Sequence, residues 1–190
     1  MQIKTVQKTI SNKLKEWLES ITDITLRENV KQNILVSGGS ITSLLLNEPV
    51  NDYDVYIKDR VVLIKLVSYY TNSLSGITIL NGADKDGLVS ELEKQYNDKI
   101  EAINNSYAIC LRNLKSNQVK LFFDSDKGGI KIEKELIKEG LKYQPVFFSP
   151  NAISLTDDIQ IVCRFHGDNE AIHKTFDFIH ATNYFTFESG

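Results

Sequence analysis

The sequence predicts an α+β fold, in which a mixed sheet is flanked by helices. Three observations carry that prediction. Ile10, Leu14, Trp17, Leu18 and Ile21 recur at three- and four-residue spacing, the stripe of an amphipathic helix. Asp52 to Ile57 alternates strictly, with Tyr53, Val55 and Ile57 on one side and Asp52, Asp54 and Tyr56 on the other. The last third is rich in short apolar runs separated by polar turns, which reads as strands.

The helix spans 7–32, with Lys8, Lys13, Lys15, Glu16 and Glu19 off the stripe and Asp23 or Thr25 as its break point. Ile34–Ser37 is a buried strand entering a glycine turn. Ile41–Leu46 is a short helix closed by Asn47 and Pro49. After the Asp52–Ile57 strand, residues 60–74 form a helix on the sheet and Ile77–Leu80 a further strand. The charged stretch 81–105 reads as an insertion, with an exposed helix over Leu88–Ile103. Tyr107–Leu111 and Val119–Phe123 are expected to pair as a hairpin across Lys115–Gln118. A helix over Lys131–Lys138 ends at Gly140, and strands follow at Val146–Ser149, Ile159–Phe165 and Thr175–Ile179.

At 190 residues the chain fits one domain, here 1–190 with the insertion. Its 42% apolar and 25% charged residues exclude global disorder. A formal net charge of −3 gives no basic field, so strong non-specific nucleic-acid binding is not expected. Cys110 and Cys163 form neither a CxxC pair nor a zinc-spaced cluster. They read as reduced apolar residues of a cytoplasmic protein. The N-terminus lacks a signal-peptide core, and no apolar run approaches the roughly 20 residues of a membrane span.

The chemistry concentrates in two segments with eleven residues between them, Gly38-Gly39-Ser40 and Asp52-Tyr53-Asp54-Val55. Glycines at a strand-to-helix turn let the backbone approach a ligand. The helix N-terminus that follows offers N–H groups and a positive dipole end to phosphate, and Ser40 adds a hydroxyl. Carboxylates at i and i+2 of a strand share a face, with Cα atoms about 6–7 Å apart. They can converge on Mg2+ or Mn2+, hard cations that also bridge substrate phosphates. Two like charges on one face without a cation would repel.

This arrangement, Gly39-Ser40, eleven residues, then Asp52-apolar-Asp54-apolar, resembles the signature of the DNA polymerase beta-like nucleotidyltransferase superfamily. The wording of 50–56 and of Phe176-Asp177-Phe178-Ile179-His180-Ala181-Thr182-Asn183-Tyr184-Phe185 is most similar to phage-encoded nucleotidyltransferases. The resemblance implies a nucleotidyltransferase fold and Mg2+- or Mn2+-dependent transfer of NMP from an NTP to a hydroxyl, releasing pyrophosphate. The acceptor stays open among RNA, protein and small molecules. Gly38, Gly39 and Ser40 would hold the triphosphate, and Asp52 and Asp54 the metal. The resemblance also implies a third carboxylate from a later strand, and a C-terminal helical region that this chain does not reach. The alternative is a catalytically silent module of the same fold, serving in binding or as a virion component.

Asp177, between Phe176 and Phe178, would face away from two core aromatics and so need a partner or a metal. Asp124 competes for the role, and His180 reads as structural. Gly82–Gly87 with Glu93 only imitates a calcium loop, because Gly82 stands where an acid is required. The NTPase phosphate loop and the Rossmann glycine pattern are absent. Neither Ser37 nor Ser40 has a nearby histidine to activate it for acyl transfer.

Overall fold

A computed structural model describes residues 2–124, 128–174, 176 and 183–187. The predicted first helix is two, α1 (Ile3–Ser20) and α2 (Ile24–Asn33). The break falls at Asp23, whose side chain accepts from the Leu26 N–H and caps α2. Then come β1 (Ile34–Ser37), α3 (Gly39–Leu46), β2 (Tyr53–Ile57) and α4 (Arg60–Thr71). The chain continues through β3 (Ile77–Asn81), α5 (Lys85–Tyr96), α6 (Ser106–Asn113) and β4 (Val119–Phe123). Short strands dominate the rest: β5 (Ile130–Lys131), β6 (Pro145–Phe148), β7 (Ala152–Leu155) and β8 (Ile159–Val162). Last come α7 (Asn169–His173) and β9 (Tyr184–Phe185).

Seven strands form one mixed sheet in the order β5-β6-β7-β8-β2-β1-β9, and β3 with β4 forms a separate ribbon. Among the described residues of the large sheet only the β2–β8 pairing is parallel. The expected α+β class, a mixed sheet flanked by helices, is what the chain adopts.

Register is easiest to follow along two neighbouring rows. Ile130, Phe148, Ile153, Ile161, Val55, Val36 and Phe185 stand side by side across all seven strands. This apolar row joins Leu14, Trp17, Val30, Leu44, Leu63 and Leu66 of α1–α4 in the main core. The next row, on the opposite face, reads Lys131, Phe147, Ser154, Gln160, Asp54, Ser37 and Tyr184. One residue of pleat therefore separates the core from a polar face.

Two expected elements are corrected. Tyr107–Leu111 is helical and lies within α6, so β4 pairs with β3 instead. The Asn105 side chain caps α6 at the Ala108 N–H, and burial at Ala108 and Leu111 follows helical spacing while Ile109 stays exposed. Five apolar residues in a row carry no period, and the cap decides between the two states. The Lys131–Lys138 helix is instead β5 followed by a 3-10 turn over Lys134–Leu136. Pairing to β6 outweighs the helix propensity of its lysines and glutamates.

The charged stretch 81–105 builds α5, shorter than expected, and a loop whose Ile100, Glu101 and Ile103 carbonyls accept from the Arg112 guanidinium. It covers the outer face of the β3–β4 ribbon with a small core of Leu80, Leu92, Ile100, Ile103, Leu111 and Leu114. The strand expected at Thr175–Ile179 lies outside the described residues, except Phe176.

Helix α1 is fastened to α4 by a buried hydrogen bond from Trp17 Nε1 to the Tyr70 hydroxyl at 3.0 Å. Tyr70→Phe keeps the ring and strands the indole N–H. It should lower the unfolding free energy by about 1–2 kcal/mol in urea titration. The loss should shrink in a Trp17→Phe background, where no donor is left unpaired.

Candidate functional site

Ser37 ends β1, and Gly38 turns the chain with φ +96 and ψ −159 into a region open essentially to glycine alone. A side chain is excluded there for a second reason: a β-carbon on Gly38 would lie 2.8 Å from Asp54 Oδ2. The Asp54 carboxylate thus rests on the backbone of the glycine turn. Gly39 is exposed, with nothing within 4 Å of where its β-carbon would be. It opens α3, which has no side-chain cap at its N-terminus. Ser40 follows at 5% exposure, and its hydroxyl is buried without a hydrogen-bond partner. Gly38 is thus the turn residue that touches Asp54, with Gly39 and Ser40 following it into α3.

Asp54 projects from the middle of the polar row, between Ser37 on β1 and Gln160 on β8. Asp52 is exposed just before β2. Burial first, and then the neighbouring Asp52 charge, push the Asp54 carboxyl up to about 6. The same causes, burial and then Asp54, raise the Tyr56 hydroxyl on that face. A carboxyl held near neutrality beside a second acid is a group that a cation would stabilise in its charged form. The donor set fits magnesium or manganese: hard carboxylate oxygens, with exposed backbone beside them for a phosphate.

Asp177 and His180 lie outside the described residues. Asp124 follows β4 of the separate ribbon, next to Gly76, and is not part of the row. Among the described residues no three His, Cys, Asp or Glu side chains converge as a metal cluster. A cavity of about 570 Å³ lies between α2 and α4 and one of about 320 Å³ between the end of α4 and the β5–β6 region, and neither is lined by Gly38, Asp52 or Asp54.

Several residues of this face escaped the sequence reading. Gln160 neighbours Asp54, and its amide is 3.5 Å from Ser154 Oγ. A lone polar residue between Ile159 and Ile161 was the available signal. His173 lies 136 positions from Ser37, yet its Nε2 is 3.0 Å from the Ser37 hydroxyl, correcting the expectation that no histidine reaches that serine. The pair is not a nucleophile with its base. Ser37 is fully buried and donates its proton to the Asn183 carbonyl at 2.7 Å, so it accepts from the ring N–H. Burial lowers the His173 pKa and favours that neutral ring, which leans on Phe176 and Tyr184. The contact ties α7 and β9 to β1.

Other features are structural. The turn at Gly82–Asp84 is held by the Asn81 side chain, which accepts from Ala83 and donates to Asp84, and it leads into α5. Cys163 is fully buried and its thiol is pushed up to about 12. No described helix is long and apolar enough to cross a membrane.

One family model, the Gad2 family described as Gabija anti-defense 2 family protein, matches residues 8–190, and the chain belongs to that family. No curated protein and no solved structure matches. This corrects the resemblance to the DNA polymerase beta-like superfamily. A glycine turn followed by two closely spaced acids is a local pattern, and such a pattern does not identify a lineage.

Asp54 gives a pH signature. Its folded pKa of about 6 exceeds the unfolded value near 3.8, so the native state holds the extra proton between them. Metal-free stability should therefore fall as pH rises from about 4 to 6 and level off above. Asp54→Asn removes that penalty. In EDTA it should be more stable than wild type by about 1–2 kcal/mol at pH 7.5, with the gap shrinking toward pH 4. An equal difference at both pH values would contradict the assignment.

Proposed function

We propose that this Gabija anti-defense 2 family protein transfers a nucleoside monophosphate from an NTP to a hydroxyl acceptor, with Mg2+ or Mn2+ at Asp52 and Asp54. One observation carries the reading. The Asp54 carboxylate lies on the Gly38 turn, with an unpartnered, buried Ser40 hydroxyl two residues further on. In this reading the metal-type carboxylate and the phosphate-type turn would act side by side.

In this reading Gly38, Gly39 and the uncapped start of α3 take the triphosphate by their N–H groups. Ser40 donates the hydrogen bond for which it has no partner. Asp52 and Asp54 hold the cation, and Asp177 is proposed as the third carboxylate. When bound, the ion neutralises phosphate charge and lowers the pKa of the acceptor hydroxyl. The acceptor oxygen bonds to the α-phosphorus, the bond to the β-phosphate oxygen breaks, pyrophosphate leaves and the hydroxyl proton passes to solvent. The family description points to Gabija defence as what this activity would oppose, and the setting proposed with it is the host cytoplasm.

Thermal stability is the first test. NTP with Mn2+ at about a hundred times Kd should stabilise the protein by about 2.7 kcal/mol. For a chain of this size that raises Tm by roughly 5–10 °C. Asp54→Asn should abolish the metal-dependent part. Ser40→Ala should leave the free protein at least as stable, because an unsatisfied hydroxyl is removed, while weakening the nucleotide response. Mass spectrometry of a cell extract incubated with protein, metal and labelled NTPs should reveal an acceptor heavier by one NMP. No thermal response to any of the four NTPs would instead favour a silent binding or virion-associated module.

A further inference from the structure

The strand end that enters the glycine turn is held by a side chain to which the transfer reading gives no part. Ser37 is fully buried, stands directly opposite Asp54 in the β1–β2 register and immediately precedes Gly38. Its hydroxyl has one proton, which goes to the Asn183 carbonyl at 2.7 Å. The 3.0 Å contact with His173 Nε2 is therefore a hydrogen bond donated by the ring. The ring is itself fixed, with Phe176 and Tyr184 at 5.3 and 5.7 Å between centroids. Ile172, the residue before it, is fully buried against Leu35 and Tyr56, the next cross-strand pair along the same face. Helix α7 is thus seated on the face that carries Asp54, and its last residue reaches Ser37.

We infer that His173 is a positioning residue for the metal and phosphate site, acting through Ser37 to fix where β1 turns at Gly38 beside Asp54. The inference rests on the transfer reading above. The turn has little of its own to hold it in place: Gly38 and Gly39 have no side chains, and α3 has no side-chain cap at its N-terminus. Ser37 is the last side chain before the turn, so its anchorage sets where the turn begins. The tolerance there is small, because a β-carbon on Gly38 would lie 2.8 Å from Asp54 Oδ2. A small shift of the β1 end changes the space that a ligand shared by acid and turn would occupy. Binding sites need their groups held to about 0.5 Å by the residues behind them, and losing such a support typically lowers metal affinity about 10–100-fold. The competing account is a latch that only keeps α7 on the sheet, and affinity measured apart from stability separates the two.

The test is isothermal titration of the full chain with Mn2+, and with each of the four NTPs in the presence of Mn2+, alongside urea titration of the same variants. His173→Phe keeps a ring between Phe176 and Tyr184 and removes the donor. His173→Gln offers a nitrogen donor at the ε position without the ring, and Ser37→Ala removes the acceptor. His173→Phe should weaken binding of Mn2+ with NTP about tenfold, and His173→Gln should return it to within about threefold of wild type. Ser37→Ala should also weaken binding about tenfold, and the double variant should bind no more weakly than either single one, because both act through one bond. A latch for α7 alone would lower urea stability and leave the affinity of the folded protein at the wild-type value. That outcome, or single losses that multiply to about a hundredfold in the double variant, would overturn the inference. Should His173→Phe fail to fold, Ser37→Ala decides, and wild-type affinity in it sinks the positioning role. Wild-type protein that binds Mn2+ and NTP no better than its variants do places the failure on His173 alone. Wild-type protein that binds neither removes the transfer reading and the role of His173 with it.

Discussion

A slip of one residue in any central strand of this sheet would exchange its two faces. Val55, Ile161 and Ile153 would leave the core, and Asp54, Gln160 and Ser154 would enter it. The apolar row, buried against α1–α4, therefore fixes the register, and with it the position of every group on the opposite face. Core packing and site geometry are one constraint seen from two sides. The strands contribute few residues each, so no single pairing holds the register; seven adjoining apolar side chains do.

The same constraint explains what could be read from the chain. Alternation in Tyr53–Ile57 assigned Asp52 and Asp54 to one face, because a strand half-covered by helices must show its period. The glycine pair after Ile34–Ser37 marked the turn, because little but glycine adopts φ +96 with ψ −159. The α+β class followed from these periods. Where period was missing, reading failed. Tyr107–Leu111 is apolar throughout, and its helix rests on the cap from Asn105 and on burial of Ala108 and Leu111. Lys131–Lys138 has the composition of a helix and the tertiary surroundings of a strand.

Cross-strand neighbours were out of reach for a different reason. Gln160 meets Asp54 only because β8 runs parallel to β2 from 106 positions away, and His173 meets Ser37 only through the placement of α7. Alternation tells which face a residue takes, but not which strand comes to lie beside it. The superfamily resemblance failed in the same way, since it rested on a local motif while the family match extends over 8–190.

Three local costs meet where β1 ends. Gly38 holds a conformation that other residues avoid, Ser40 keeps a buried hydroxyl unpaired, and Asp54 loses hydration beside Asp52. Each opposes folding by an amount on the order of 1–3 kcal/mol. Elsewhere Arg112 spreads one guanidinium over three carbonyls, and Asp23, Asp59, Asn105 and Asp168 each cap a helix, while Asn151 Oδ1 and His166 Nε2 are also buried without a partner. What distinguishes the end of β1 is that three such costs fall at one turn, where a single ligand could resolve them together. A cation would stabilise the charged carboxylates, a phosphate oxygen would accept from Ser40, and only glycine at 38 lets the acid and the turn come close enough to share that ligand.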